Sequence, residues 1–173
     1  MRCFIAVDIS EDARAKIART VARAMPPEFR PVAAKNMHIT LKFLGEIGEQ
    51  ELEICKLAVD GCAVGGPIQV QLQGGGAFNN VGRARVVYVN CNSPELEKIA
   101  ACIGKFTQGI GDERKFKGHL TVARAKDMPA DASVLVNALN SINRTEVVRA
   151  VRIYKSTLTP AGPEYEIIYE KTL

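Results

Sequence analysis

Two four-residue segments of this chain repeat one pattern, and together they contain both of its histidines. The first segment is HITL, from His38, and the second is HLTV, from His119. In each, the histidine is followed by an apolar residue, a threonine and a second apolar residue. Threonine occupies 8 of the 173 positions, so chance alone would place it two residues after both histidines in about 0.2% of cases. The match is therefore a motif, and it constrains fold and function together.

Both segments have the alternation of a β-strand with one buried face. Residues i and i+2 of a strand point to the same side of a sheet. Each segment therefore presents an imidazole and a hydroxyl side by side, His38 with Thr40 and His119 with Thr121. The same alternation predicts that Lys42 shares the face of His38 and lies within reach of a bound phosphate, or is an ordinary solvated lysine.

The order of predicted elements repeats along the chain as well. Three pairs of landmarks lie 81 to 83 residues apart: Val7 and Val89, Ser10 and Ser93, His38 and His119. We predict an internal duplication of a β-α-β-α-β unit within one domain, with halves near 1–80 and 83–173. The predicted class is α+β, with two similar lobes about a pseudo-twofold axis and antiparallel-rich sheets lining a central cleft.

Helix and strand signals support this order. Helix start and stop signals predict four helices, from Glu11 to about Met25, Glu49 to about Cys62, Pro94 to about Thr107 and Asp131 to about Ile142. Alternation and β-branched residues predict strands at Arg2–Ile9, Pro67–Leu72, Arg85–Cys91, Lys115–Arg124, Val147–Leu158 and Tyr165–Leu173, besides the strand that contains His38.

Net charge and the number and spacing of cysteines restrict the possible substrates, cellular location and cysteine chemistry. The net charge of +4 is mildly basic, which suits an anionic substrate without proving that the chain binds nucleic acid. The opening apolar run is too short for a signal peptide, and no stretch is long enough to span a membrane. The five cysteines include no C-x-x-C pair, so we expect reduced, buried thiols in a cytoplasmic monomer, and no zinc site.

The paired motifs predict acid–base chemistry on a phosphate. Imidazole titrates near neutrality, so one ring can be protonated while the other is neutral. The threonine hydroxyls can bind phosphate oxygens, and no carboxylate accompanies them to make a nucleophile. Arg124, five residues after His119, is the natural countercharge. Strict alternation would place it on the opposite face, so the strand has to twist, bulge or end before it.

These residues resemble the 2H phosphoesterase superfamily, and within it the RNA 2′,3′-cyclic phosphodiesterases, also called 2′-5′ RNA ligases. Five segments carry the resemblance: FIAVDI (Phe4–Ile9), HITLKFLGE (His38–Glu46), RVVYV (Arg85–Val89), HLTVARAKD (His119–Asp127) and IYKSTLTPAGPEY (Ile153–Tyr165). One departure is Gly118, where the family usually has proline.

The resemblance implies a role for each motif residue. His38 would be the proton donor to the leaving ribose oxygen, and His119 the proton acceptor that activates water. Thr40 and Thr121 would hold phosphate oxygens, and Arg124 would add positive charge. The implied reaction opens a 2′,3′-cyclic phosphate RNA end, for example on a tRNA half, to a 2′-phosphate. The reverse reaction would join RNA through a 2′-5′ linkage without ATP. No metal or other cofactor is implied.

Other residues have two interpretations each. Phe78, Tyr88 and Tyr154 are candidates for stacking on a terminal base, or are ordinary core aromatics. The basic clusters at Asp112–Lys117 and Arg149–Lys155 either steer an RNA backbone or are solvated surface charge.

Two alternative functions stay open. One is a 2H enzyme that acts on a small cyclic nucleotide and not on an RNA end. The other is a non-catalytic module that only binds RNA ends, although simple binding would need no matched acid and base.

Overall fold

The computed structural model describes all residues from 1 to 173 and contains four helices and nine strands. The helices are α1 (Glu11–Ala24), α2 (Glu49–Cys62), α3 (Pro94–Phe106) and α4 (Ser133–Leu139). The strands are β1 (Arg2–Val7), β2 (Phe29–Pro31), β3 (Ile39–Glu46), β4 (Ile68–Ala77), β5 (Val86–Asn92), β6 (His119–Ala125), β7 (Asn143–Val148), β8 (Ala150–Thr159) and β9 (Gly162–Thr172). The four predicted helices are present. Two strands were not predicted: the short β2, and β7, which the predicted strand Val147–Leu158 overlaps only at its end before it continues as β8.

Two serines start the helices that follow the central strands. The backbone N–H of Ala13 donates to Ser10 Oγ at 3.1 Å, which caps α1. The N–H of Leu96 donates to Ser93 Oγ at 3.3 Å, which caps α3 just before Pro94. A serine oxygen satisfies one of the unpaired N–H groups of a first helical turn. The two helices thus begin in the same way in both parts of the chain.

All strand pairs are antiparallel, and they join into one curled sheet. The strand order is β7-β4-β5-β6-β3-β1-β8-β9, and β2 pairs with β6 outside this path. At the middle of the sheet, β3 and β6 share a single pair of residues, Ile39 and Leu120. This junction divides the sheet into two four-stranded half-sheets. The predicted α+β class with antiparallel-rich sheets is confirmed.

Each half-sheet takes strands from both halves of the sequence. β4 pairs with β5, as at Leu72 and Cys91, and β8 pairs with β1, as at Ile5 and Ile153. The central strands β1 and β5 need hydrogen-bond partners on both edges. They obtain them from β3 and β8 in one half-sheet and from β6 and β4 in the other. A duplication with boundaries near 1–80 and 83–173 stays a prediction.

The two faces of the sheet have different roles, as β1 illustrates. Cys3, Ile5 and Val7 belong to the main core of 40 buried residues, which also includes the inner faces of the helices. Phe4 and Ala6 point the other way and form a small second cluster with Tyr154. We call this second side the open face of the sheet. None of the helices is both long and apolar enough to cross a lipid bilayer.

The expectation of five reduced thiols is wrong for one pair of cysteines. Cys62, at the end of α2, and Cys102, in α3, form a disulfide with their Cα atoms 5.7 Å apart. The two helices pack side by side and bring these thiols within bridging distance. Their separation of 40 residues follows no local motif, so spacing alone did not predict the pair. Cys3, Cys55 and Cys91 are free and buried, as expected.

Candidate active site

The junction between the half-sheets brings the two histidine motifs together. Ile39 and Leu120 pair in antiparallel orientation, and both are fully buried. Extending this register by one residue on each side sets His38 opposite Thr121, and Thr40 opposite His119. Directly opposed residues have Cβ atoms about 4.5–5.5 Å apart, and diagonal neighbours about 7–8 Å. By this register, the two imidazoles and the two hydroxyls lie on adjacent strands, within one residue of the β3–β6 junction.

The two imidazoles are held by the same backbone contact. His38 Nδ1 lies 2.7 Å from the carbonyl oxygen of Asn36, and His119 Nδ1 lies 2.6 Å from that of Lys117. A carbonyl oxygen only accepts, so each Nδ1 carries the hydrogen and each Nε2 is left to exchange a proton with a ligand. Sequence reasoning missed this contact, although both acceptors lie two residues before the histidine.

The surroundings of His38 are aromatic. The ring stacks on Phe4 with centroids 4.7 Å apart, and Tyr165 meets its face edge-on at 5.4 Å. Burial in this environment lowers the pKa of His38 to about 4, while the Asn36 carbonyl and the Asp8 carboxylate act in the opposite direction. Burial disfavours the charged form of an imidazole. With this pKa, the His38 imidazole is neutral at pH 7.

The surroundings of His119 contain a cation as well as aromatic rings. Phe78 and Tyr88 meet the imidazole edge-on at 4.8 and 5.5 Å. Lys117 Nζ donates to Tyr88 Oη at 2.7 Å and lies 5.1 Å from the centroid of Phe78. Burial lowers the pKa of His119, and the positive charges of Lys117, Arg124 and Arg114 lower it further.

Arg124 returns to the face of His119 because β6 contains a bulge. Ala123 pairs with Val87 and Thr121 pairs with Tyr88, so Val122 is an extra residue in β6. Val122 and Ala123 are both buried in succession, and Arg124 is exposed. Its positive charge lowers the pKa of both histidines and of Tyr165. The guanidinium therefore faces the same space as the two imidazoles.

A matching bulge in β3 overturns the expectation for Lys42. Ala6 pairs with Thr40 and Ile5 with Lys42, which leaves Leu41 as the extra residue. Lys42 is consequently turned to the helix side, where it is 7% exposed. Its Nζ donates to the Thr107 carbonyl oxygen at 2.9 Å. The prediction that Lys42 shares the face of His38 is wrong, because the bulge reverses the alternation after Thr40.

Gly118 is required by the close approach of two strands. A Cβ at this position would overlap the carbonyl oxygen of Cys91 in β5. The Gly118 carbonyl also accepts from the N–H of Cys91 at 3.1 Å. The residue before His119 is thereby tied to the neighbouring strand through its backbone, without the fixed ring of a proline.

The three aromatic candidates for base stacking differ in exposure. Tyr88 and Tyr154 are 3% and 8% exposed, so their faces are already covered by protein. Phe78, at the end of β4, is only partly covered and lies beside His119. Of the three, Phe78 has free surface for a base.

Some arginines of the two basic clusters already form ion pairs with carboxylates of the protein. Arg114 pairs with Asp112 next to it, and Arg152 pairs with Asp8 and Glu170. Arg152 also lines a cavity of about 440 Å³ beside His38, together with Asp8 and other polar side chains. No group of three or more His, Cys, Asp or Glu side chains is arranged to hold a metal ion.

Comparison with known proteins places this geometry in context. A family model described as LigT-like phosphoesterase matches residues 7–88. The chain is 33% identical to the RNA 2′,3′-cyclic phosphodiesterase of Methanocaldococcus jannaschii, over 98% of this chain and 99% of that protein. The crystal structure of TT0787 of Thermus thermophilus superimposes with a TM-score of 0.87 at 27% identity, covering 100% of this chain and 98% of that one. Escherichia coli LigT complexed with 3′-AMP gives a TM-score of 0.80 at 25% identity, covering 99% and 97%.

Proposed function

The chain belongs to the LigT-like phosphoesterases of the 2H superfamily, and from this we propose that it hydrolyses 2′,3′-cyclic phosphate ends of RNA to 2′-phosphate ends. One observation carries the proposal: β3 and β6, the two strands that contain the histidine motifs, pair with each other at Ile39 and Leu120, the residues directly after the two histidines. A relative that is named an RNA 2′,3′-cyclic phosphodiesterase aligns over nearly the whole chain. The structure of E. coli LigT with 3′-AMP supports a nucleotide as ligand of this fold.

The proposed reaction is an in-line displacement at the phosphorus of the cyclic phosphate, in which a water oxygen replaces the ribose 3′ oxygen. His119 Nε2 accepts a proton from water as the water oxygen bonds to phosphorus. The bond between phosphorus and the ribose 3′ oxygen breaks, and His38 Nε2 donates a proton to that oxygen. The hydroxyls of Thr40 and Thr121 donate to non-bridging oxygens, and Arg124 adds a charge-assisted contact. The product is a 2′-phosphate with a free 3′ hydroxyl, and solvent resets the protons on the two rings.

The electrostatics of the two sites support this division of roles. Positive charge around His119 favours its neutral form, which a proton acceptor needs. Burial lowers the pKa of His38 to about 4, so this ring needs an added negative charge to be protonated at pH 7. A cyclic phosphate brings a negative charge next to the ring and stabilises the imidazolium. Substrate binding would thus supply the condition under which His38 acts as donor.

The same arrangement predicts the limits of the reaction. Both proton transfers are assigned to imidazoles, so the proposed hydrolysis needs no metal. With a 5′ hydroxyl in place of water, the reverse reaction would form a 2′-5′ linkage without ATP, and the two histidines would exchange roles. Both motifs lie in one chain, so a monomer is sufficient. Cytoplasmic RNA ends such as tRNA halves remain the proposed substrates.

One assay tests these points together. A short RNA with a 2′,3′-cyclic phosphate end is incubated with the protein in EDTA, and the product isomer is identified by chromatography against 2′- and 3′-phosphate standards. We expect the 2′-phosphate. A 3′-phosphate product, or activity abolished by the chelator, contradicts the proposal. A parallel reaction with ADP-ribose 1″,2″-cyclic phosphate tests the small-molecule alternative, which would be favoured by faster turnover of that compound.

A further inference from the structure

The two motif histidines have different residues opposite them on the central strands. Val7 pairs with Ile39 at the end of β1, and the residues just beyond this pair, Asp8 and His38, line the same cavity. In the other half-sheet, Asn90 pairs directly with His119. Corresponding positions thus hold a carboxylate beside one imidazole and a neutral amide beside the other.

Asp8 is fully engaged by protein groups. Its carboxylate accepts from Arg14 Nη2 at 2.8 Å and from Tyr154 Oη at 2.6 Å, and it is ion-paired with Arg152. These three donors leave little acceptor capacity for a substrate. Asp8 can therefore act on the reaction only through another residue.

The contacts of Asp8 lead back to His38. The Tyr154 ring that Asp8 holds stacks on Phe4 with centroids 5.2 Å apart, and Phe4 stacks on His38 at 4.7 Å. The carboxylate thus fixes one side of the aromatic environment that orients the imidazole. It also places a negative charge next to this ring.

Asn90 provides no such charge. Its side-chain N–H groups lie 3.4 and 3.3 Å from the carbonyl oxygens of Gly74 and Gly75. These contacts tie β5 to β4, and the residue paired with His119 adds no negative charge beside the ring.

We propose that Asp8 is a positioning residue that favours the protonated form of the buried His38 when a cyclic phosphate is bound, and that the difference between Asp8 and Asn90 sets the direction of proton transfer between two otherwise matched histidines. The inference rests on the proposed function, because it explains why His38 is the donor.

The charges around each ring support this assignment. Titratable or charged side chains that face or surround His38 are Asp8, Arg14, Lys35, Arg124, Arg152, Tyr154, Glu164 and Tyr165. Those that face His119 are Tyr88, Arg114, Lys117 and Arg124. Of the largest charge effects on the pKa of His38, that of Asp8 raises it, while those of Arg14 and Arg124 lower it. The largest charge effects on the pKa of His119 come from Lys117, Arg124 and Arg114, and all three lower it. Asp8 therefore opposes the effect of burial at His38, and no carboxylate has a comparable effect at His119.

A reciprocal pair of substitutions tests the inference. The chain has two histidines, so proton NMR gives two imidazole C2–H titrations, which His38→Gln and His119→Gln assign. We expect Asp8→Asn to move the His38 midpoint to lower pH and to leave that of His119 in place. Asn90→Asp is the matched control, and it should move the His119 midpoint to higher pH. Turnover of cyclic-phosphate RNA by Asp8→Asn should fall about tenfold at pH 7, because the protonated donor becomes scarcer.

The outcomes separate the inference from the proposed function. A His38 midpoint that is unchanged in folded Asp8→Asn overturns the inference, whatever the activity. If Asp8→Asn does not fold, Asn90→Asp decides, and an unmoved His119 midpoint overturns it. Wild-type protein that fails to hydrolyse the cyclic-phosphate RNA overturns the proposed function, while the titrations still show whether Asp8 controls the protonation of His38.

Discussion

The two histidine strands share a backbone and differ in what surrounds it. In both, the histidine Nδ1 contacts the carbonyl oxygen two residues earlier, and a bulge falls three residues later, at Leu41 and at Val122. Both imidazoles have aromatic and cationic neighbours, but the carboxylate of Asp8 lies near His38, and the ammonium group of Lys117 lies near His119. The strand geometry places two equivalent imidazoles, and the neighbouring side chains make them chemically different.

The comparison separates the residues whose positions depend on the two histidine strands from the residues that surround those strands. The histidine, the threonine and the bulge depend only on β3 and β6 and their direct partners. The distinguishing charges lie outside these two strands, with Asp8 directly after β1 and Lys117 two residues before β6. An acid and a base can therefore be made from two copies of one strand by changing residues outside it.

Removing either imidazole should have the largest effect. We expect His38→Ala and His119→Ala each to lower turnover of a cyclic-phosphate RNA by about two to four orders of magnitude, the usual contribution of general acid–base catalysis. Because the two imidazoles act in one step, turnover by the double variant should be only slightly lower than turnover by the less active single variant. Steady-state assays with circular dichroism as a folding control measure this. Near-normal turnover in both single variants contradicts the assignment of the two histidines.

The second largest effect should be on the pH dependence of the free energy of unfolding, to which the buried His38 contributes. The pKa of His38 is about 4 in the folded protein and about 6.5 in an unfolded chain. The unfolded state therefore binds the proton more readily, and the stability that neutral His38 contributes is complete above pH 6.5 and is lost as the pH falls to 4. The loss amounts to about 3 kcal/mol. Urea unfolding between pH 7 and 4 measures it, and His38→Gln should lack this part of the pH dependence. An identical slope in that variant contradicts the prediction.

Alternation predicted the faces of the histidine strands up to the bulges. It placed His38 with Thr40 and His119 with Thr121, and it required a twist, bulge or strand end before Arg124. The same reasoning placed Lys42 wrongly, because nothing in the segment HITLK indicates that Leu41 is an extra residue. A bulge depends on the partner strand as much as on its own sequence, and a single strand pattern does not contain the partner.

The sequence also did not predict the contacts between segments that lie far apart in the chain. The aromatic neighbours Tyr154 and Tyr165 lie more than a hundred residues from His38, and the Cys62–Cys102 disulfide joins residues 40 positions apart. Such contacts follow from the strand order, in which β8 lies beside β1, and from the packing of α2 on α3. Local patterns gave the elements and the two motifs, whereas the environment of each imidazole needed the assembled sheet.

Corresponding positions after the two motifs hold an arginine and a phenylalanine. Substituting each of them tests the proposed phosphate contact of the arginine, with a smaller expected effect. Arg124 follows His119 by five residues, and Phe43 follows His38 by five, and both are exposed. Loss of a charge-assisted hydrogen bond to phosphate is worth roughly 1.5–3 kcal/mol, so Arg124→Ala should lower kcat/KM by about 10- to 100-fold. Phe43→Ala is the matched control and should change it less than about threefold, since it removes no charge. Arg124→Lys should recover part of the loss, and equal losses at Arg124 and Phe43 contradict a phosphate contact.

The smallest effect should come from the residues two positions before each histidine. Lys117 lowers the pKa of His119 by its charge, so Lys117→Gln should raise that pKa and leave the titration of His38 unchanged. Turnover at pH 7 should change less than about threefold, because the backbone carbonyl that holds the imidazole is retained. Asn36 holds the corresponding position beside His38, and Asn36→Lys should lower the pKa of His38 by the same mechanism. Titration of the two imidazole C2–H signals by NMR measures both shifts. If Lys117→Gln moves the pKa values of the two histidines equally, the charge acts across the whole site, and the assignment of Lys117 to the environment of His119 alone is wrong.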